Sequence, residues 1–220
     1  MIDDYSSVAG FLGQQNPGFT NNNRRDLDKS ISSLDVAHRL VVNYQYELPF
    51  GAGKAFLNRK GPLNILAGGW SLNGVSTLQS GLPISIGSAA DTTNSFGGNQ
   101  RPNSTGRKSE TPGGVKQRLD RYFDPGAFEN APKYTFGNVG RFLPDNRGPA
   151  LHVHDLSILK NFPIGEKRRL EYRAEFFNVL NQVNFISPSG DGTTFGRPQF
   201  GTITDAERAR IIQMGLKLYF

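Results

Sequence analysis

The sequence predicts an all-β fold, an antiparallel transmembrane β-barrel segment of about five long strands. Three observations carry this prediction. Apolar and polar residues alternate over several segments, which places them on opposite faces of a strand. Each segment has about 9 to 11 residues or a little more, the length with which a tilted strand crosses a bilayer, whereas soluble strands have about 5 or 6. The connections between the segments are alternately short and long, as in outer-membrane barrels.

The composition agrees with a β fold and excludes several classes of protein. The 220 residues include 26 glycines and 13 prolines, which punctuate the chain with turns, and only 36% are hydrophobic. No stretch approaches the roughly 20 apolar residues of a membrane helix. The chain has no cysteine, which excludes disulfides and thiolate chemistry. Its net charge of +6 comes from scattered basic residues that alternate with acidic ones, so we expect no nucleic-acid partner.

The alternation defines the strands, which we predict over residues 38–50, 70–86, 151–162, 168–179 and 210–220. The fourth has the clearest pattern, with Leu170, Tyr172, Ala174 and Phe176 on its apolar face and Glu171, Arg173 and Glu175 on the other. A soluble core would not accept these charges unpaired. We therefore expect the apolar face to meet lipid and the charged face to meet the barrel lumen.

A lumen-facing charge row is the first candidate site. We predict that it consists of Glu171, Arg173, Glu175 and Lys217, with Lys217 opposite the others if the fourth and fifth strands pair. Its ordinary role would be a ladder of salt bridges that holds the barrel wall and contacts a plug. A role in binding a substrate is the alternative.

The connections predict the topology. Residues 1–37, 87–150 and 180–209 would be extracellular loops, while the connections around 51–69 and 163–167 would be periplasmic, as would the end of the last strand. Four aromatic residues lie on the side of the short turns, where an interfacial girdle is expected: Phe50, Trp70, Phe162 and Phe220. The long loops, rich in Asn, Gly and Arg between residues 91 and 147, are the better candidates for ligand capture.

Patterns that suggest catalysis or metal binding are incomplete. His152 and His154 share a strand face but lack a third ligand, so a polar loop-to-strand junction is the ordinary interpretation. Residues 51–54 resemble part of a phosphate loop, but Leu48 stands where its first glycine would be and Ala55 replaces Ser or Thr. We expect no enzyme activity, no metal and no cofactor.

A soluble β-sandwich is the alternative fold, as a ligand-binding module of the carbohydrate type in which the tyrosines and Trp70 stack on sugar. The two interpretations differ in what covers the apolar strand faces. A second sheet covers them in a sandwich, and lipid covers them in a barrel. A requirement for detergent would favour the barrel.

The last eight residues, 213–220, resemble the signal that the barrel-assembly machinery reads in outer-membrane proteins. The residues that carry this resemblance are Gln213, Gly215, Leu218 and Phe220. They supply a polar residue, a glycine two positions later, and hydrophobic residues at the antepenultimate and terminal positions. The resemblance implies that these side chains form an assembly signal.

Further segments resemble the C-terminal barrel of Oar-like TonB-dependent receptors, a family typical of acidobacteria that carries a carboxypeptidase-regulatory-like domain. They occur in family order along nearly the whole chain. The segments are Asp35–Val41, Tyr46–Gly51, Gly68–Gly74, Leu78–Pro83, Tyr122–Phe128, Phe136–Arg141, Asp155–Phe162 and Arg173–Asn181.

This resemblance implies an outer-membrane location and the C-terminal portion of a larger barrel of 22 strands. It also implies energy-coupled uptake of a scarce solute, with outer-membrane lipid, the barrel-assembly machinery and a TonB-type complex as partners. Five strands cannot close a barrel, so we expect the family's plug, energy-coupling box and regulatory domain, as well as a signal peptide, to lie outside this sequence. The substrate cannot be predicted.

Overall fold

The computed structural model describes residues 20–21, 25–58, 61–94, 100–165 and 168–220. Most of the predicted loop over 1–37, and part of the predicted turn over 163–167, lie outside these residues. Among the helices that the model describes, none has both the length and the apolar character to cross a bilayer.

The described chain is built mainly from strands, with one short α-helix. The strands are β1 (Arg39–Glu47), β2 (Trp70–Gln79), β3 (Gly87–Ser88), β4 (Asn103–Ser104), β5 (Phe128–Glu129), β6 (Leu151–Ile164), β7 (Arg168–Phe177), β8 (Thr194–Phe195) and β9 (Ile211–Tyr219). The helix α1 is Pro62–Ala67, and short 3-10 helices cover Arg25–Asp28, Val115–Gln117, Pro125–Ala127 and Gly190–Thr193. The all-β prediction is confirmed.

The five long strands form one antiparallel sheet in the order β1-β2-β6-β7-β9. Each long strand thus pairs with the next long strand along the chain, the up-and-down order that a barrel wall requires. They do not form the two packed sheets of a sandwich. β1 and β9 are the edges, so the sheet is open within the described residues.

The strand bounds differ from the sequence prediction mainly in β2. The prediction of a strand over 70–86 is wrong beyond Gln79, where β2 ends. Ile84 and Ile86 are instead fully buried in a hydrophobic core outside the sheet. β1 is shorter than predicted at both ends, and β6 continues two residues further, to Ile164.

β6 continues through Pro163, which donates no backbone hydrogen bond. The backbone N–H of Asn161 donates to the carbonyl of Gly69, on the β2 side of the strand. Because N–H groups alternate in direction along a strand, the ring nitrogen of Pro163 also points to that side. The pairing of β2 with β6 has already ended at Trp70 and Lys160, so the missing donor costs the ladder nothing there.

The chain divides into two compact units. The sheet unit consists of Arg39–Gln79, Leu151–Asn184 and Arg208–Phe220, and contains the five long strands. The loop unit takes in the described residues up to His38 together with Ser80–Ala150 and Phe185–Glu207. It contains the short pairs β3-β8 and β4-β5.

The loop unit has a hydrophobic core of its own, which the sequence analysis did not predict. Its buried members are Ile84, Ile86, Tyr122, Phe123, Ala127, Phe128, Val139, Leu143, Phe200 and Ile203. The ring of Phe200 contacts two other buried rings, with its centroid 5.5 Å from that of Phe123 and 5.6 Å from that of Phe128. Such aromatic contacts contribute beyond the burial of area, so the two long connections are folded structures and not simple loops.

Candidate functional site

The two faces of the five-stranded sheet differ in chemistry, and each presents candidate sites. One face, here called the apolar face, carries most of the large hydrophobic side chains of the five strands. Many are exposed, and Leu216 on β9 is 69% exposed. A continuous apolar surface of this kind is rare in water-soluble monomers. It is usual in proteins whose surface contacts lipid.

Tyr44 and Gly74 form a cross-strand pair on the apolar face. The tyrosine ring lies directly over the glycine, because a Cβ added to Gly74 would come within 2.2 Å of the ring carbon Cζ of Tyr44. An aromatic side chain that covers a strand glycine restores the packing which the glycine lacks. The pair therefore favours this register of β1 against β2 on the apolar face.

Lys160 is a buried cation on the apolar face, at the end of the sheet where β2 begins. It is 1% exposed, and its Nζ donates to the carbonyl oxygen of Leu66 at 3.0 Å and to that of Gly68. Nζ also lies 5.1 Å from the ring centroids of Trp70 and Phe162, within cation–π range. The charge is thus enclosed by the C-terminal end of α1 and by Trp70 and Phe162, two of the predicted girdle residues.

The opposite end of the same face carries His152 and His154. His152 Nδ1 lies 3.1 Å from Nε2 of Gln182, and His154 Nδ1 lies 2.9 Å from Oγ of Ser76. Among the described residues, no group of three or more His, Asp or Glu side chains is arranged to hold a metal ion. The two histidines are polar contacts at a strand end, where β6 begins.

The predicted charge row lies on the other face, here called the polar face. Arg173 connects two acidic neighbours, since its guanidinium lies 3.1 Å from Oε1 of Glu171 and 3.4 Å from Oε1 of Glu175. Glu171 is 8% exposed and also accepts a hydrogen bond from the hydroxyl of Tyr219 at 3.4 Å. Three of the four residues are therefore in direct contact along β7.

Lys217 lies directly opposite Glu171 in the register of β7 and β9. Its Nζ lies 4.7 Å from the ring centroid of Tyr219. The hydroxyl of Tyr219 in turn donates a hydrogen bond to Glu171. The cation is thus part of the same polar cluster through an aromatic ring. Whether the cluster faces a barrel lumen stays a prediction.

A second polar region spans β1, β2 and β6 on the same face. It forms a groove of about 380 Å³ whose polar lining consists of Asn43, Gln45, Asn73, Asp155 and Ser157. The register places Gln45, Asn73 and Ser157 directly side by side across the three strands. The sequence analysis did not single out these amides, although their alternation with apolar residues was visible.

The predicted assembly-signal residues all lie on or beside the edge strand β9. Gln213 and Gly215 belong to the polar face, and Leu218 to the apolar face. Phe220 follows the strand and is 96% exposed. Their role as a signal stays a prediction.

Residues 51–54 form a turn and not an anion site. The N–H of Ala52 donates to Oδ1 of Asn64 at 2.6 Å, and that of Gly53 to Oδ1 of Asn58 at 2.8 Å. The N–H of Lys54 donates to the carbonyl of Gly51, and its ammonium pairs with Glu47 at 2.6 Å. A phosphate would need these same donors.

In the loop unit a buried ion pair joins distant segments. Arg101 lies 2.5 Å from Asp28, and both side chains are almost fully buried. Burial lowers the pKa of Arg101 below its usual value, although the Asp28 carboxylate favours the charged form. A buried pair of this kind is costly to break from one side, so it holds residues 25–28 to the segment around residue 101.

Tyr122 is another buried side chain with a polar group in the loop unit. It is 1% exposed, and its hydroxyl donates to the carbonyl of Arg147 at 2.6 Å. The guanidinium of Arg118 lies 4.5 Å from the ring centroid. Burial raises the pKa of Tyr122 to about 12, against the opposing effect of Arg118. Loop residues that were expected to capture a ligand thus include structural core residues.

A family model described as "Outer membrane beta barrel domain" matches residues 1–213. No curated protein and no solved structure matches the chain. The matched region covers all of the loop unit and most of the sheet unit.

Proposed function

The chain belongs to the outer membrane beta barrel domain family and lies in the outer membrane, and we propose that it forms part of the wall of a TonB-dependent transporter. This transporter takes up a scarce solute through a plugged barrel, with energy supplied from the inner membrane. The resemblance to Oar-like receptors supports the TonB-dependent part of this proposal. The soluble sandwich considered above is wrong, because it conflicts with the outer-membrane location.

The single observation that carries the proposal is an open, two-faced sheet. Its edges β1 and β9 have nine residues each. All residues of β1 are exposed, and so are all residues of β9 except the last. In lipid, each unpaired backbone group costs several kcal/mol. Further strands must therefore pair with these edges, which supports a wall that belongs to a larger barrel.

The polar face supports the transport role. Barrel interiors are polar and lipid-facing surfaces are apolar, so the face with Glu171, Arg173 and Glu175 is the one we assign to the lumen. There the charge cluster would hold the wall and contact a plug. We assign the two long connections to the extracellular side and residues 213–220 to assembly. None of these roles requires catalysis.

Fractionation of native cells tests the barrel first. An antibody against residues 211–219 should detect a band in the outer membrane that shifts on boiling, because closed barrels resist unfolding. We expect this band to be several times larger than the 24.2 kDa of this sequence. A shifting band at 24.2 kDa would instead require the edges to be closed by additional copies of the chain.

Solute depletion tests energy coupling. The medium of wild-type cells is compared with that of cells that lack the gene and of cells that lack TonB. We expect one solute to stay in the medium in both mutant cultures. Depletion that needs the gene but not TonB would indicate a passive pore and contradict the proposal.

A further inference from the structure

The amide groove on the polar face suggests which class of solute meets this wall. The groove lies over β1, β2 and β6, and its volume of about 380 Å³ falls within the range of small-molecule pockets. All of its polar lining side chains come from strands, which hold their positions more rigidly than loops would. The inference rests on the proposed function, because it assumes that this face borders the transport path.

The lining groups both donate and accept hydrogen bonds. Gln45, Asn73 and Ser157 form one cross-strand row of two amides and a hydroxyl. Each amide offers two donors and one acceptor oxygen. This mixture complements hydroxyl groups, since each hydroxyl also donates and accepts.

Asn73 has unused hydrogen-bonding capacity. Its Oδ1 is buried and has no hydrogen-bond donor among the described residues. A buried acceptor without a donor costs free energy, so native structures rarely leave one unexplained. A small rotation of the amide would offer this oxygen to a hydroxyl that enters the groove.

The charge of the groove selects against anions. Asp155 is its one ionisable acid, and its Oδ1 already accepts the backbone N–H of Asn178 at 2.8 Å. No lysine or arginine is among the residues that the structure places along the groove. Val75 adds an apolar patch, 41% exposed, that suits the C–H surface of a sugar ring.

We propose that this groove binds a neutral, polyhydroxylated solute such as an oligosaccharide. The amides of Gln45 and Asn73 hydrogen-bond its hydroxyl groups, and Val75 contacts its carbon skeleton. Phosphate-rich and carboxylate-rich solutes are excluded, because the groove would bring Asp155 close to them without a compensating cation.

Calorimetry on the native full-length protein, purified in detergent, tests the proposal. The neutral probes are maltotriose, cellotriose and xylotriose, and trigalacturonate is an anionic probe of the same length. At least one neutral probe should bind, and Asn73→Ala should weaken its binding about tenfold through the loss of one or two hydrogen bonds. Gln79→Ala is the matched control, because Gln79 lies on the same strand and face outside the groove.

The outcomes separate this inference from the proposed function. A heat-shifting band must be present in every variant, and its absence from the wild type would contradict the barrel itself. If the band is present and no neutral probe binds, the inference is wrong while the transporter proposal stands. Equal binding of trigalacturonate, or equal losses in Asn73→Ala and Gln79→Ala, would also overturn it.

Discussion

The buried hydroxyl of Tyr122 leads to a prediction about the alkaline stability of the loop unit. The side chain is 1% exposed and donates to the carbonyl of Arg147. Ionisation would bury a negative charge and replace this donor with an acceptor that faces the carbonyl. Burial accordingly raises the pKa of Tyr122 from 10.0 to about 12.

The magnitude follows from linkage between ionisation and folding. Below pH 10 the phenol is protonated in both the folded and the unfolded chain, so its contribution to stability is fully present. Between pH 10 and 12 the unfolded chain releases the proton and the folded chain keeps it. A shift of two pKa units corresponds to about 3 kcal/mol, which the loop unit loses as the pH rises through this window.

Ultraviolet absorbance of tyrosinate measures the titration directly. The chain has seven tyrosines, so the difference between the wild type and Tyr122→Phe isolates one phenol. We expect its midpoint near pH 12 while circular dichroism shows a folded protein. Where unfolding comes first, Tyr122→Phe should unfold at a higher pH than the wild type. Tyr134→Phe is the control, because Tyr134 is 80% exposed. This variant should retain the rise in tyrosinate absorbance near pH 12.

A difference midpoint near pH 10 in folded protein would refute the reasoning. It would mean that water reaches the hydroxyl of Tyr122. The core of the loop unit would then be less closed than its buried aromatic side chains indicate.

Three further perturbations test the sheet. Lys160→Ala removes the donor to the Gly68 carbonyl and should lower barrel stability by about 2–3 kcal/mol, measured as a lower temperature of the gel shift; an unchanged shift would contradict this. Gly74→Val should displace the Tyr44 ring and cost about 1 kcal/mol, a cost that disappears in a Tyr44→Ala background. Gly215→Asp, or deletion of Phe220, should reduce the outer-membrane level of the full-length protein several-fold on immunoblots, and unchanged levels would reject the assembly signal.

The sheet could be predicted from sequence because strand alternation is a local signal. Along β7, Leu170, Tyr172 and Ala174 are each followed by a charged residue, so a shift of one position would move these charges to the apolar face. The position of Lys217 opposite Glu171 follows from the same rule applied to β9. Strand order also follows, since short and long connections alternate between neighbouring antiparallel strands.

The loop unit could not be predicted because its core is assembled from distant segments without periodicity. Ile84 and Phe123 lie far apart in the connection between β2 and β6, whereas Phe200 lies in the connection between β7 and β9. None of the three lies in a long strand or helix. The same reason explains the error at the end of β2. Alternation beyond Gln79 resembles a strand locally, but Ile84 and Ile86 gain more by burial in the loop-unit core.

The segment Gly68–Gly74 carries part of the resemblance to Oar-like receptors. It contains residues that packing explains and one residue, Asn73, that packing does not explain. Gly69 has a positive φ of 71°, and an added Cβ would lie 2.6 Å from the carbonyl oxygen of Asn161. Trp70 shields Lys160, and Gly74 accommodates the ring of Tyr44.

Each of these residues is explained by packing within the sheet. Asn73 is different, because its buried Oδ1 has no donor in the described part of the chain and its side chain borders an open groove. A buried acceptor without a donor destabilises the isolated sheet, and a ligand that donates a hydrogen bond to it would remove this cost. The ligand chemistry of this wall is therefore better sought at Asn73 than at the aromatic and glycine residues around it.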